Sequence, residues 1–175
     1  MAIRWPLIKK KVNELLDSGD IKSAPIPIER IAGIMGATIR YKPLDDNLSG
    51  MVQRNDDQTA IIGINSSHAD VRKRFSIAHE IGHLVLHDDE NLHVDEELRS
   101  NVQFRNEFSS LGVDDREIEA NQFAAEILMP EQMLLKDVVK LKNNSPEVVI
   151  EELAKLYDVS IQSMTIRLTR LGVIK

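Results

Sequence analysis

Two histidines and a glutamate stand in the run Phe75-Ser-Ile-Ala-His79-Glu80-Ile-Gly-His83-Leu-Val-Leu-His87 at a spacing that suits metal chemistry. An ion that takes part in a reaction needs neutral imidazoles and an unfilled coordination position. On an α-helix, residues four apart emerge about one turn from each other on one face. His79 and His83 can therefore reach a single ion roughly 2 Å from each ring. Glu80 points about 100° round the helix from His79, close enough to touch a water on that ion without displacing it. That is the place of a general base. The pattern is a complete HExxH element, and Zn2+ is the ion that such ligands suit, with manganese as an alternative.

The elements around the motif must hold these side chains in place. From Val71 to Leu86 there is no proline and a single glycine, and Ile77, Ala78, Ile81, Leu84 and Val85 recur at helical spacing. The segment reads as a helix with its back in the core and its histidine face lining a cleft. Gly82 leaves a small spot beside the histidines. His87 continues the same face, but eight residues of helix rise about 12 Å, so His79 and His87 cannot share one ion. It reads as a helix-end residue favoured by the dipole. Position 89, where a metzincin pattern would need its third histidine, is aspartate.

A third ligand must come from elsewhere, and a carboxylate on another helix is the expectation. Downstream, Asp114 to Pro130 has helical periodicity, acidic residues in its first turn and a proline at its end. Glu117 and Asn121 are four apart, hence on one face. One can bind the metal while the other holds a ligating histidine by hydrogen bond and fixes its tautomer. Glu119 and Glu126 compete as ligands. Glu119 lies about 200° round from Glu117, so the two cannot do the same job in one orientation of the helix. Glu117 is favoured.

The combination RKRFSIAHEIGHLVLH, followed by EIEANQFAAEILMP, resembles the ImmA/IrrE family of metallo-endopeptidases. The upstream hairpin ending in Ile61-Ile-Gly-Ile-Asn65 and the closing LAKLYDVSIQSMTIRLTRLGVI also fit that family's layout, from about Ile26 onward. The resemblance implies an α+β fold: a small gluzincin-like core, in which a short β-sheet packs on the HExxH helix and a glutamate helix. A C-terminal, all-helical, helix-turn-helix-like segment would follow. It maps His79, His83 and Glu117 onto the zinc ligands and Glu80 onto the catalytic base. The step from Glu117 to Asn121 is similar to the ExxAD pattern of thermolysin-like gluzincins, with asparagine replacing aspartate. The family also implies a narrow protein substrate, typically a helix-turn-helix transcriptional repressor encoded nearby and cut in a stress or mobile-element response. No histidine follows His93, so a thermolysin-type downstream histidine for the oxyanion has no counterpart. Arg105, Tyr41 and Tyr157 are the other donors considered.

The rest of the chain sets bounds. At 175 residues, 42% hydrophobic and 29% charged, it can bury one sizeable core. The absence of cysteine excludes thiol catalysis, thiolate zinc sites and disulfides. No stretch approaches the 18 apolar residues of a membrane span, and Met-Ala-Ile-Arg-Trp-Pro lacks a signal-peptide core, so a cytoplasmic protein with no membrane partner is expected. A net charge of −6 argues against a dedicated nucleic-acid binder.

Division into a metallopeptidase domain, 1–130, and a helical subdomain, 131–175, follows from the change of pattern after Pro130. Gly50 to Arg54 and Thr59 to Ile64 read as a hairpin beside the active helix and a candidate rail for an extended substrate. Asp88 to Glu97 reads as a solvated acidic loop and Asn101 to Phe108 as a helix. The turn at Asp158-Val-Ser160 has the look of a helix-turn-helix whose second helix would present Gln162, Ser163, Thr165, Arg167, Thr169 and Arg170. Only two of these are basic, and packing or protein docking is favoured over DNA. The rival to an enzyme is a non-catalytic, metal-containing regulator that binds a repressor or DNA through these helices.

Overall fold

The computed structural model describes residues 3–45, 47–55, 57, 59–87, 92–96 and 115–174. Chain order is α1 (Trp5–Ser18), α2 (Ile28–Ile34), β1 (Ala37–Lys42), β2 (Leu48–Arg54), β3 (Ala60–Asn65), α3 (Asp70–Leu86) and β4 (Leu92–Glu96). After it come α4 (Asp115–Leu128), α5 (Glu131–Lys140), α6 (Pro146–Tyr157) and α7 (Ile161–Arg170). This is the α+β arrangement expected. Arg105, the helix foreseen at 101–108 and the acidic residues Asp88, Asp89, Glu90 and Glu97 lie outside the described residues.

Among the described residues the sheet has the order β1-β3-β2-β4. β1 runs parallel to β3 and β2 antiparallel to it, with Val52 opposite Ile62. β4 then pairs antiparallel with the other side of β2, setting His93 opposite Val52. A solvated loop was the expectation for that stretch, and a fourth strand stands there instead. β2 is consequently an inner strand, so the hairpin does not present the open edge read as a substrate rail.

Buried and half-buried residues alternate along β3, as period-two side chains on one covered face require. That face packs on α3, and α3 packs in turn on α4. Being covered by the sheet and by a helix, α3 is buried continuously from Ser76 to Leu84, polar positions included. The histidine face, expected to line a cleft, is covered as well. Gly82 explains how closely the second helix comes: a Cβ there would lie 3.0 Å from Ala120 Cα and 3.2 Å from its carbonyl oxygen. The small residue thus admits the α4 backbone rather than leaving room beside the rings.

One apolar cluster runs from Ile8, Val12 and Ile31 through Ile62, Ile77 and Phe123 to Leu153, Tyr157 and Leu168. Ser160 starts α7 by accepting the Ser163 amide at 3.0 Å, an N-cap in the usual sense. No helix among the described residues is long and apolar enough to cross a membrane.

Candidate metal centre

α3 contributes His79, Glu80 and His83, and α4 contributes Glu117; all four are buried. His79 Nε2 and His83 Nε2 face each other at 3.0 Å. Glu117 closes the triangle, with Oε2 at 3.4 Å from His79 Nε2 and Oε1 at 3.5 Å from His83 Nε2. Bonds of roughly 2 Å to a tetrahedral ion would set ligand atoms about 3.3 Å apart, so the spacing suits such an ion.

Hydrogen bonding on the far side of each ring fixes what the near side offers. Asn121 Oδ1 sits 3.1 Å from His79 Nδ1, and an amide oxygen can only accept, so Nδ1 carries the proton. Nε2 of a neutral His79 is then a bare lone pair. His83 reaches the same state through a longer chain. Its Nδ1 is 3.2 Å from His87 Nδ1, while His87 Nε2 is 3.1 Å from Glu119 Oε2. The carboxylate can only accept, so His87 donates from Nε2 and accepts at Nδ1, and His83 donates from Nδ1. Burial foremost, then the neighbouring His79 and His93 rings, hold the His83 pKa far below the imidazole range and keep it neutral. Two lone pairs and a carboxylate thus converge, a donor set that fits a cation. The fold brings His79, His83 and Glu117 together at one point.

The other carboxylates of α4 are engaged elsewhere. Arg4 holds Glu119 through its backbone amide at 2.8 Å and through Nη2 at 2.5 Å, and the same Nη2 donates to the Leu86 carbonyl at 3.0 Å. Those hydrogen bonds foremost draw the Glu119 pKa down to about 2. Glu126 accepts from Arg167 Nη2 at 2.6 Å, a buried pair. One helix thus sends three glutamates to three different cations or cation sites, which is why only Glu117 competes for a shared ion.

Glu80 is fully buried. β2 makes room for it at Gly50, where a Cβ would lie only 2.9 Å from Glu80 Oε1. The same strand anchors the end of α3: Arg54 Nη2 meets the carbonyls of His83, Leu84 and His87 at 3.2, 2.8 and 2.9 Å. The His83 carbonyl also accepts the His87 amide at 3.1 Å, and a cation at this end of the helix suits the helix dipole.

Two residues were missed or misread from the sequence. His87 ends α3 as expected, yet it is buried and bonded to His83 rather than being a simple terminal residue; its i+4 spacing from His83 was the available signal. His93, on β4, enters the cluster: one ligand atom each from His79, His83, His93 and Glu117 lie within 4.8 Å of one another. A fifth histidine within an acidic stretch was the only cue. The alternative donors fall elsewhere. Tyr41 is exposed on the far strand with its hydroxyl 3.3 Å from Glu29, and Tyr157 donates to Asp137 Oδ2 at 2.8 Å in the helical half. Arg167, one of the residues that a DNA-reading α7 would present, is buried against Glu126 and the Met129 carbonyl.

Similar proteins bear on this geometry. A structure titled as a Mycobacterium tuberculosis transcriptional regulator superposes with a TM-score of 0.62 at 17% identity, covering 93% of this chain and 46% of that one, a likeness of fold. "Uncharacterized immunity region protein 2" of Bacillus phage phi105 is 32% identical over 60% of this chain and 63% of its own length. The "Radiation response metalloprotease IrrE" of Deinococcus radiodurans is 31% identical over 79% of this chain and 38% of its own. The chain thus spans less than two thirds of either relative. Residues 32–169 match the Peptidase_M78 family, described as the IrrE N-terminal-like domain, and the chain belongs to that family.

Proposed function

We propose that this chain is a zinc-dependent endopeptidase acting on a specific protein substrate, with His79, His83 and Glu117 as metal ligands and Glu80 as catalytic base. One observation carries the reading: two imidazole lone pairs and a carboxylate converge at 3.0–3.5 Å with Glu80 adjacent on the same helix. Nitrogen and oxygen donors in a tetrahedral arrangement suit zinc. When bound, zinc supplies a Lewis acid that polarises a carbonyl and lowers the pKa of water.

The chain's own groups do the rest. The Glu80 carboxylate takes a proton from the attacking water and hands it to the nitrogen of the leaving amine. Asn121 and His87 keep the two rings in the tautomer that leaves Nε2 bare. Burial of α3 keeps bulk water from the carboxylate and strengthens its interactions.

The name of the Deinococcus relative, a radiation response metalloprotease, supports the activity, and the immunity region of the phage relative supports a regulatory setting. We take the substrate to be a helix-turn-helix transcriptional repressor, cut in the cytoplasm to relieve repression. The α7 arginines favour a packing or docking role for the C-terminal helices over DNA contact: Arg167 is paired with Glu126, and Arg170 Nη1 donates to Gln122 Oε1 at 2.6 Å.

His93 gives the rival reading a specific basis, because four protein donors are the mark of a closed, structural metal site. A non-catalytic regulator of that kind would have no use for Glu80. Mixing the chain with a helix-turn-helix repressor from the same genome decides between them. Cleavage by the wild type, abolished by a chelator and by Glu80→Gln, is the expected result. Cleavage that survives Glu80→Gln removes the base assignment, and a metal-loaded wild type that cuts nothing favours the regulator.

A further inference from the structure

We infer that His93 is a fourth, displaceable metal ligand, delivered by a strand lying in the lane a substrate peptide would take. Its functional half rests on the peptidase reading above; its ligand half rests on geometry alone.

His93 Nε2 lies 3.2 Å from Glu117 Oε1, again close to the edge of a tetrahedron with roughly 2 Å bonds. The ring stacks on His83 with centroids 3.5 Å apart and planes inclined by 20°. Its ligand atom falls in the same 4.8 Å cluster as those of His79, His83 and Glu117. A hydrolytic zinc site holds three protein ligands and keeps the last corner for water. His93 stands at that corner.

The strand that carries it explains how the corner could be vacated. Gly50 of β2 abuts the base, since a Cβ on it would come within 2.9 Å of Glu80 Oε1, and Gly50 is paired with Asp95 of β4. An extended peptide whose carbonyl must reach both the metal and Glu80 would add to the sheet alongside β2. β4 already holds that place, in antiparallel register from Leu48 to Gln53 with one irregularity. It is an internal stand-in for substrate: its backbone fills the ladder and His93 fills the coordination corner. β4 is also a five-residue strand at the sheet edge, with Leu92 60% exposed, so it belongs to the easily opened part of the fold. The substrate class that could replace it is an extended, unfolded protein segment able to pair with β2.

The test uses the full chain carrying His93→Ala, with His93→Gln in reserve should the alanine variant fail to fold. Zinc affinity, read by competition with a chromogenic chelator, is expected to fall about tenfold or more. Zinc should slow amide exchange across 92–96 in the wild type and not in the variant, and cleavage of denatured casein should rise. Unchanged zinc affinity in the variant overturns the ligand assignment. Weakened zinc with cleavage falling in proportion makes His93 part of the working site and overturns the displacement. If no form cuts casein or a helix-turn-helix repressor, the peptidase reading is what fails, while affinity and exchange still decide whether His93 is a ligand.

Discussion

The Nδ1 atoms of His83 and His87 lie 3.2 Å apart, and through that contact a ring of the metal centre is tied to Glu119 on the facing helix. The sequence Arg4, Glu119, His87, His83 is a chain of hydrogen bonds that starts next to α1 and ends at the cation site. Each link fixes the proton position of the next, so the lone pair at His83 Nε2 is set by an arginine at the start of α1.

His87→Ala removes the group that receives the His83 Nδ1 proton. Partners of this kind typically contribute 10–100-fold to metal affinity, and a loss of about that size is expected here by chelator competition. Circular dichroism should show the helices intact, because α3 is also held by Arg54 and by its packing on α4.

Arg4→Ala leaves the buried Glu119 carboxylate to His87. The cost to stability should be about 1–3 kcal/mol, measured by urea denaturation. The Arg4 side chain is 39% exposed, so water takes over part of its role and the lower end of that range is expected. The pH dependence has a definite sign. Glu119 titrates at about 2 when folded, below its ordinary 4.5, so its contribution is complete above pH 4.5 and drains away as the pH falls toward 2. The stability gap between wild type and variant should be level above pH 4.5 and close below it.

Gly50→Ala tests the placement of the base. A Cβ 2.9 Å from Glu80 Oε1 displaces the end of a flexible side chain and leaves the backbone where it is. The protein should fold and bind zinc as before, while cleavage drops about 100-fold, the usual scale for a catalytic group moved by an ångström. Equal activity in the variant would show that Glu80 acts from a different rotamer.

How much of this could be read in the sequence follows from the range of each interaction. α3 and α4 are local: periodicity, the acidic first turn and Pro130 delimit them, and the four-residue step from Glu117 to Asn121 put both on one face. Interactions across the fold were harder. Arg4 and Glu119 are 115 residues apart, and no local pattern links them. β4 has too few residues to show an alternation, and its register depends on β2 some forty residues earlier, so His93 gave no sign of its destination. At Arg167 the helix was legible, but its inward orientation depends on Glu126 of α4, an interaction across the fold.

Metal stoichiometry bears most directly on the convergence of His79, His83 and Glu117. Plasma emission spectrometry on gel-filtered protein should find one zinc per chain in the wild type and in Glu80→Gln. Glu117→Ala should lose it, and Glu119→Ala should retain it at reduced affinity. Full zinc loading in Glu117→Ala, with depletion in Glu119→Ala, would contradict the site described.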